Sequence, residues 1–293
     1  MQLLAEAPPV QAPDPAVLAE YRAELRAYYT PGVERAIAAS GVAVSDAQIA
    51  GVSCLELLPN EPKPGTILYC YGGGFVSGSP FEDLIVAAPL AQLAARRVIM
   101  PNYRLAPEHP WPASIDDGYA VYRSLTDVQP FGLAGESAGG NMALALILRA
   151  RAEGLPLPSA MALLSPWCDL THGGDSLTAN DGRDPTLSFE WVKLAAELYA
   201  DGADRSKPDI SPLFGKFGSW APPTMITTGT RDLLQSHAVC LSRVLKASGI
   251  PTDINIWDGL WHVFEFDDRL PEAAQSIAAI AEFVSAHMDG VQG

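Results

Sequence analysis

Ser137 stands in Gly135-Glu136-Ser137-Ala138-Gly139-Gly140, between an apolar run, Phe131 to Ala134, and a helical stretch, Asn141 to Ala152. Strand, tight turn and helix in that order hold a serine with its hydroxyl projecting from a sheet edge. The N-terminus of the next helix lies beneath it, where negative charge is favoured. Taken alone, the five-residue pattern is also what ordinary turns are made of. A serine hydroxyl is a weak nucleophile until a base removes its proton, and the base needs an acid to orient it. Of the histidines after Ser137, His172 enters a long insertion, His237 falls in a helix and His287 in the last helix. His262 alone follows a strand directly, in Asp258-Gly259-Leu260-Trp261-His262. Asp232 closes the preceding strand and turn, Met225 to Asp232. An aspartate there commonly caps the helix that follows, so capping stays open beside the role of acid. Asp258 is a rival acid, four residues before the base on the same turn.

Attack on a carbonyl puts negative charge on its oxygen, and preorganised N–H groups must meet it; losing one such donor costs about 3 kcal/mol. Ala138 follows the serine directly. Gly73 and Gly74, in Tyr71-Gly72-Gly73-Gly74-Phe75, can bring further N–H groups close because no side chain blocks the approach. The alternatives are a flexible loop or a phosphate cradle, but neither GxGxxG nor GxxxxGK[ST] occurs.

These residues need a scaffold, and the chain supplies strands alternating with helices. Strands are expected at Val52 to Leu58, Thr66 to Cys70, Arg97 to Met100, around Phe131, at Ala160 to Leu164, Met225 to Thr228 and Thr252 to Trp257. Helices are expected at Leu84 to Ala95, Ile115 to Leu125 and Pro271 to about His287. Continuous apolar strands between helices imply a mostly parallel central sheet covered on both faces, with active sites at the carboxyl ends of the strands. Before the sheet, Ala16 to Ala39 reads as helix broken at Thr30-Pro31-Gly32, after an irregular start containing Pro8, Pro9, Pro13 and Pro15. Leu18, Tyr21, Leu25 and Tyr28 give this arm one apolar face. The interval from Asp169 to about Gly218, with a helix at Ser188 to Ala200, separates two strands by roughly fifty residues, a length that usually signals function. Residues 1–45 and 169–220 are therefore expected to form a helical cap, and 46–168 with 221–293 the core. Phe75, Trp167, Phe189, Trp191 and Phe214 are the expected walls of a substrate pocket. Arg104 and Asp117 are expected to pair and brace their loop.

The 293 residues are 48% hydrophobic and 18% charged, which suits a soluble enzyme with a large core. Net charge is −15, which disfavours nucleic acid as a partner. No run approaches the ~18 apolar residues of a membrane helix. Met1 to Glu6 has neither a basic n-region nor a useful apolar h-region, so the expectation is a cytoplasmic protein without a signal peptide. Cys54, Cys70, Cys168 and Cys240 are scattered with no CxxC, which disfavours a disulfide framework or a zinc site.

The sequence resembles the hormone-sensitive-lipase-like carboxylesterases (bacterial family IV) of the α/β-hydrolase superfamily. The matching pieces are Tyr71 to Phe75, the eleven residues Tyr103 to Ala113 (YRLAPEHPWPA), Gly135 to Gly140, Gly229 to Asp232 and His262-Val263-Phe264, in the family's order and spacing. The resemblance implies an α/β-hydrolase fold with a helical cap inserted after the sixth strand. It implies Ser137 as nucleophile, His262 as base and Asp232 as acid, with Gly73, Gly74 and Ala138 forming the oxyanion hole. It further implies a small-molecule ester of short to medium chain as substrate, no metal and no organic cofactor. Many bacterial members form dimers, and a homodimer stays open. Two positions depart from the family pattern: Tyr71 stands where His is usual, and Glu136 where Asp or Thr is commoner. YGGGF and GESAGG also occur in the larger type-B carboxylesterases, for which this chain is too short. The same triad could serve amides, lactones or peptides, and a non-catalytic binding module is the remaining alternative.

Overall fold

The computed structural model describes residues 15–128 and 130–290. Pro8 and Pro13, and the irregular start expected around them, lie outside the described residues. The first element, α1 (Pro15–Ser40), is one helix and not two. Pro31 sits inside it and cannot donate to the preceding turn, which costs a helix about 3 kcal/mol. Val33 and Ala36, just beyond the proline, are buried in the core and hold the continuation in place. Packing thus overrides the break expected at Thr30-Pro31-Gly32.

The chain then builds one eight-stranded sheet. β1 (Ala43–Ile49) and β2 (Val52–Leu58) form an antiparallel hairpin across Ala50-Gly51. β1 was not expected: AVSDAQI is polar, and in the fold it is an exposed edge strand with no inner residue of full burial. β3 (Thr66–Cys70), α2 (Leu84–Ala94), β4 (Arg97–Pro101), α3 (Ala113–Leu125), β5 (Phe131–Glu136), α4 (Ala138–Glu153) and β6 (Met161–Leu164) follow in alternation. After β6, the sixth strand, comes the long insertion, with the short α5 (Ser176–Ala179) and α6 (Phe189–Ala200). β7 (Thr224–Gly229), α7 (Gln235–Ala247), β8 (Thr252–Trp257) and α8 (Pro271–Asp289) complete the fold.

Strand order is β1-β2-β4-β3-β5-β6-β7-β8, and every pair from β4 to β8 is parallel. The central strands β3, β5 and β6 are buried at every position, as their unbroken apolar sequences require. This is the α/β-hydrolase arrangement that the resemblance implied. The crossover helices cover both faces, so the loops after β3, β5, β7 and β8 gather at one edge of the sheet.

Arg22, on α1, ties the arm to that edge. Its guanidinium donates to the carbonyls of Val76 and Ala106, at 2.8 and 2.9 Å, and pairs with both oxygens of Glu108. Arg104 makes the expected pair with Asp117, in fork geometry at 2.8–3.1 Å, and its backbone N–H donates to the same carboxylate at 2.9 Å. The pair braces the loop after β4 against α3 and does not line the cavity described below. Arg104→Ala is therefore expected to lower the melting temperature by about 2–4 °C, the shift for a loss of roughly 1 kcal/mol in a chain of this size, and to leave the ratio of rates across an ester panel unchanged. Scanning calorimetry and the panel together check this.

Candidate active site

The elbow is set by backbone crowding. Ser137 is held at φ 51°, ψ −117°, a conformation costly for a residue with a side chain. Gly139 packs so closely on the end of β3 that any Cβ there would overlap the Cys70 carbonyl oxygen. Ser137 N–H donates to Leu164 O at 2.8 Å and its carbonyl accepts from Trp167 N–H at 2.9 Å, fixing the turn against β6.

His262 comes to this serine from the loop after β8. Its Nε2 lies 3.0 Å from Ser137 Oγ and its Nδ1 lies 2.9 Å from Asp232 Oδ1. Asp232, from the loop after β7, is fully buried. Its Oδ2 accepts from the Thr228 hydroxyl at 2.6 Å, and its Oδ1 also accepts from Leu234 N–H at 2.8 Å. Asp232 is not the cap of α7, whose N-cap position is Leu234; its carboxylate orders the turn before that helix and faces the imidazole. Burial alone would raise its pKa, but the imidazole and the hydroxyls of Thr228 and Ser165 outweigh this and hold it low. Burial likewise opposes the charged form of His262, and the facing carboxylate overcomes it, so the histidine pKa is raised. Asp258 lies on an exposed turn, with one oxygen 3.3 Å from the Thr230 hydroxyl, away from the imidazole. The other histidines are engaged elsewhere: His172 with Arg205, His237 with Gly173 O and His287 with Phe283 O.

The glycine loop faces the same serine. Gly73 O accepts from the N–H groups of Val76 and Ser77 and from the Ser77 hydroxyl, at 2.9–3.1 Å. In a trans peptide N–H and C=O point opposite ways, so a Gly73 carbonyl turned into the loop turns the Gly74 N–H outward. Gly73 and Gly74, both at positive φ, and Ser137 line one cavity of about 750 Å³. Ala138 opens α4, where backbone N–H groups lack helical partners. The two unusual residues are both structural parts of this loop. Tyr71 stacks on Tyr103 at 4.0 Å, and each hydroxyl donates to the other residue's carbonyl, at 3.1 and 2.7 Å. The Glu136 carboxyl fills the space where Gly72 would carry a side chain, and accepts from Gly72 N–H. It lies beside buried Asp83: burial raises the Glu136 pKa to about 7 although the hydrogen bond with Asp83 pulls it down, and burial together with the Glu136 charge holds Asp83 well above its usual range.

The cavity is roofed from two distant parts of the chain. Tyr21, Leu25, Tyr28 and Tyr29 of α1 line it, as do Trp191 and Val192 of α6; the rings of Tyr21 and Trp191 meet at 5.1 Å. Of the five aromatic walls expected, Trp167 and Trp191 line the cavity. The other three do not. Phe75 is buried behind the glycine loop, stacked on Tyr199 at 4.1 Å. Phe189 faces His172 and Lys193, and Phe214 is 45% exposed in a short 3₁₀ turn, Pro212–Phe214, late in the insertion. Being aromatic and inside the insertion does not say which face of it looks inward. Trp261, Leu187 and Phe266, also lining residues, carried no sequence signal beyond being apolar. Among the described residues there is no cluster of three or more metal-ligating side chains, and no helix is long and apolar enough to cross a membrane.

A family model described as an alpha/beta hydrolase fold matches residues 67–266. An esterase of Acinetobacter venetianus is 32% identical over 250 residues, spanning 83% of this chain and 82% of that protein. An acetyl-hydrolase of Streptomyces hygroscopicus is also 32% identical, spanning 83% of each. Among solved structures, an esterase from the bacterial hormone-sensitive lipase family matches with TM-score 0.82 at 34% identity, over 84% of this chain and 85% of that one. A hormone-sensitive lipase from a metagenome library matches with TM-score 0.86 at 33% identity, over 92% and 91%. Fold, family model and relatives agree that the chain belongs to the α/β-hydrolase family, in its branch of hormone-sensitive-lipase-like carboxylesterases.

The Glu136 proton gives a test by pH. A carboxyl whose pKa rises on folding, here from 4.5 to about 7, contributes stability that is present below the unfolded value and lost as pH climbs through the folded one. Glu136→Gln removes that loss. The melting temperature of the variant minus that of the wild type is expected to increase between pH 4.5 and about 7; a difference independent of pH would contradict the assignment.

Proposed function

We propose that this carboxylic ester hydrolase works through Ser137, His262 and Asp232, on esters of short to medium chain. The observation that carries the reading is the unbroken relay of 2.9 and 3.0 Å contacts from Asp232 to Ser137 at the floor of the cavity. Ser137 Oγ attacks the ester carbonyl as His262 Nε2 takes its proton. Asp232 keeps the imidazole in the tautomer and orientation this needs, and favours the imidazolium that forms. The N–H groups of Gly73, Gly74 and Ala138 receive the oxyanion. His262 then returns the proton to the leaving alcohol, an acyl-enzyme remains, and water activated by the same base releases the acid. The ester reading, rather than an amide or lactone one, is supported by relatives that carry the names esterase and acetyl-hydrolase. α1 and the insertion at 169–220 act as the cap over the sheet and its helices, a division supported by the joint lining of the cavity by α1 and α6; the boundary expected at residue 45 falls inside β1, which belongs to the sheet.

Ser137→Ala is expected to reduce turnover of a short-chain aryl ester by about 10³-fold or more, the loss typical of removing a triad member; equal rates would overturn the assignment. Cavity size and the indole of Trp191 limit the acyl or alcohol chain. Trp191→Ala is expected to move the preferred chain length upward through KM, whereas Phe214→Ala leaves it unchanged. A chain-length series on both variants is the measurement.

A further inference from the structure

Asp184 is a buried carboxylate that this reaction scheme does not use. It belongs to the insertion, in the turn between α5 and α6. Its Oδ2 accepts from two backbone N–H groups of different loops: Leu233, next to the acid, at 2.9 Å, and His262, the base itself, at 3.2 Å. Its Oδ1 accepts from the N–H groups of Thr186 and Leu187, at 2.9 and 3.2 Å, and from the Thr186 hydroxyl at 2.9 Å. The same turn reaches the carbonyl sides of the two catalytic residues. Asn180 Nδ2 donates to Asp232 O at 2.9 Å, and the Thr186 hydroxyl lies 3.2 Å from His262 O. Acid and base loops are therefore held at both N–H and C=O by one piece of the roof.

The bond from His262 Nδ1 to Asp232 depends on where two loop tips stand relative to each other. The direct bonds between those loops lie at their bases, at Thr230 and Arg231: Thr230 N–H to Trp257 O at 2.9 Å, Arg231 N–H to Leu260 O at 2.8 Å, Gly259 N–H to the Thr230 hydroxyl at 2.8 Å and the Thr230 hydroxyl to Asp258 at 3.3 Å. We propose that Asp184, with Asn180 and Thr186, is a positioning residue that locks the acid loop to the base loop from the roof, so that docking of the insertion sets the catalytic geometry. The proposal rests on the assignment of Asp232 and His262 given above. The Asp184 charge adds to the effect, because it favours the imidazolium. The other charged or titratable groups facing His262 are Asp232 on its own loop's neighbour, Glu136 at the end of β5 and His237 on α7. All of these persist when Asp184 is changed.

The test is Asp184→Asn in the full chain. Its amide has one acceptor oxygen where five N–H and O–H groups converge on two, so one set of donors meets an NH₂ group. Turnover per site, with sites counted by covalent phosphonate titration, is expected to fall about 10-fold or more, within the range for sub-ångström misplacement. KM is expected to change less than kcat, because Asp184 itself does not line the cavity. The acid limb of the kcat/KM profile should move to lower pH, a shift that a merely structural role would not produce. An unchanged kcat overturns the proposal whether or not the acid limb moves, because loss of the charge alone shifts that limb. Where Asp184→Asn does not fold, Thr186→Val answers the same question: reduced kcat at constant KM supports the clamp, and wild-type kcat overturns it. A failure of the underlying reading is distinguishable, because the wild-type turnover would then survive Ser137→Ala.

Discussion

The closeness of the strand-to-helix turn at Ser137 is the constraint on which the rest of the site depends. Gly139 lies so near the end of β3 that only hydrogen fits, and this lets α4 begin directly beneath the serine. The serine is thereby forced to positive φ, an arrangement that costs on the order of 1–3 kcal/mol and survives only because its surroundings leave no alternative. Bonds to Leu164 and Trp167 on β6 and its following loop supply that over-determination. A hydroxyl placed this way has a fixed direction, so the imidazole and the glycine loop can be fixed relative to it.

Around this point the protein buries an unusual amount of acid. Glu136, Asp83, Asp184, Asp232 and Glu265 are all at least nine-tenths buried. They divide by chemistry. Asp232 and Asp184 collect hydrogen bonds from several donors each, and for Asp232 these hold the pKa low despite burial. Burial raises Glu136 and Glu265, each to about 7, so both carry less charge than an exposed carboxylate behind the glycine loop and behind β7. A strongly acidic chain can thus keep charge at the imidazole without accumulating mutual repulsion around it.

Much of this was legible in the sequence. Unbroken apolar runs gave the central strands, and the order serine, aspartate, histidine on three strand ends pointed to Ser137 and Asp232, which both stand within 3.0 Å of His262. What escaped had a common cause. β1 is polar because it is an edge, so periodicity and burial say nothing of it. Pro31 obeys its local rule less than it obeys the packing of Val33 and Ala36. Phe75, Phe189 and Phe214 were legible as aromatic but not as facing outward from the cavity, since orientation is decided by contacts far away in the chain. Asp184 was invisible for the same reason: its partners, at 233 and 262, are 49 and 78 residues distant.

The anchoring of both roof segments bears on how a substrate arrives. Arg22 pins α1 to the carbonyls of Val76 and Ala106, and the Asn180–Thr186 turn is bonded to the loops beneath it. Both segments are thus docked on the loops beneath them, while Tyr28 at the cavity rim is 77% exposed. The opening at Tyr28 is therefore a feature of the docked roof itself, present while every one of these bonds is made.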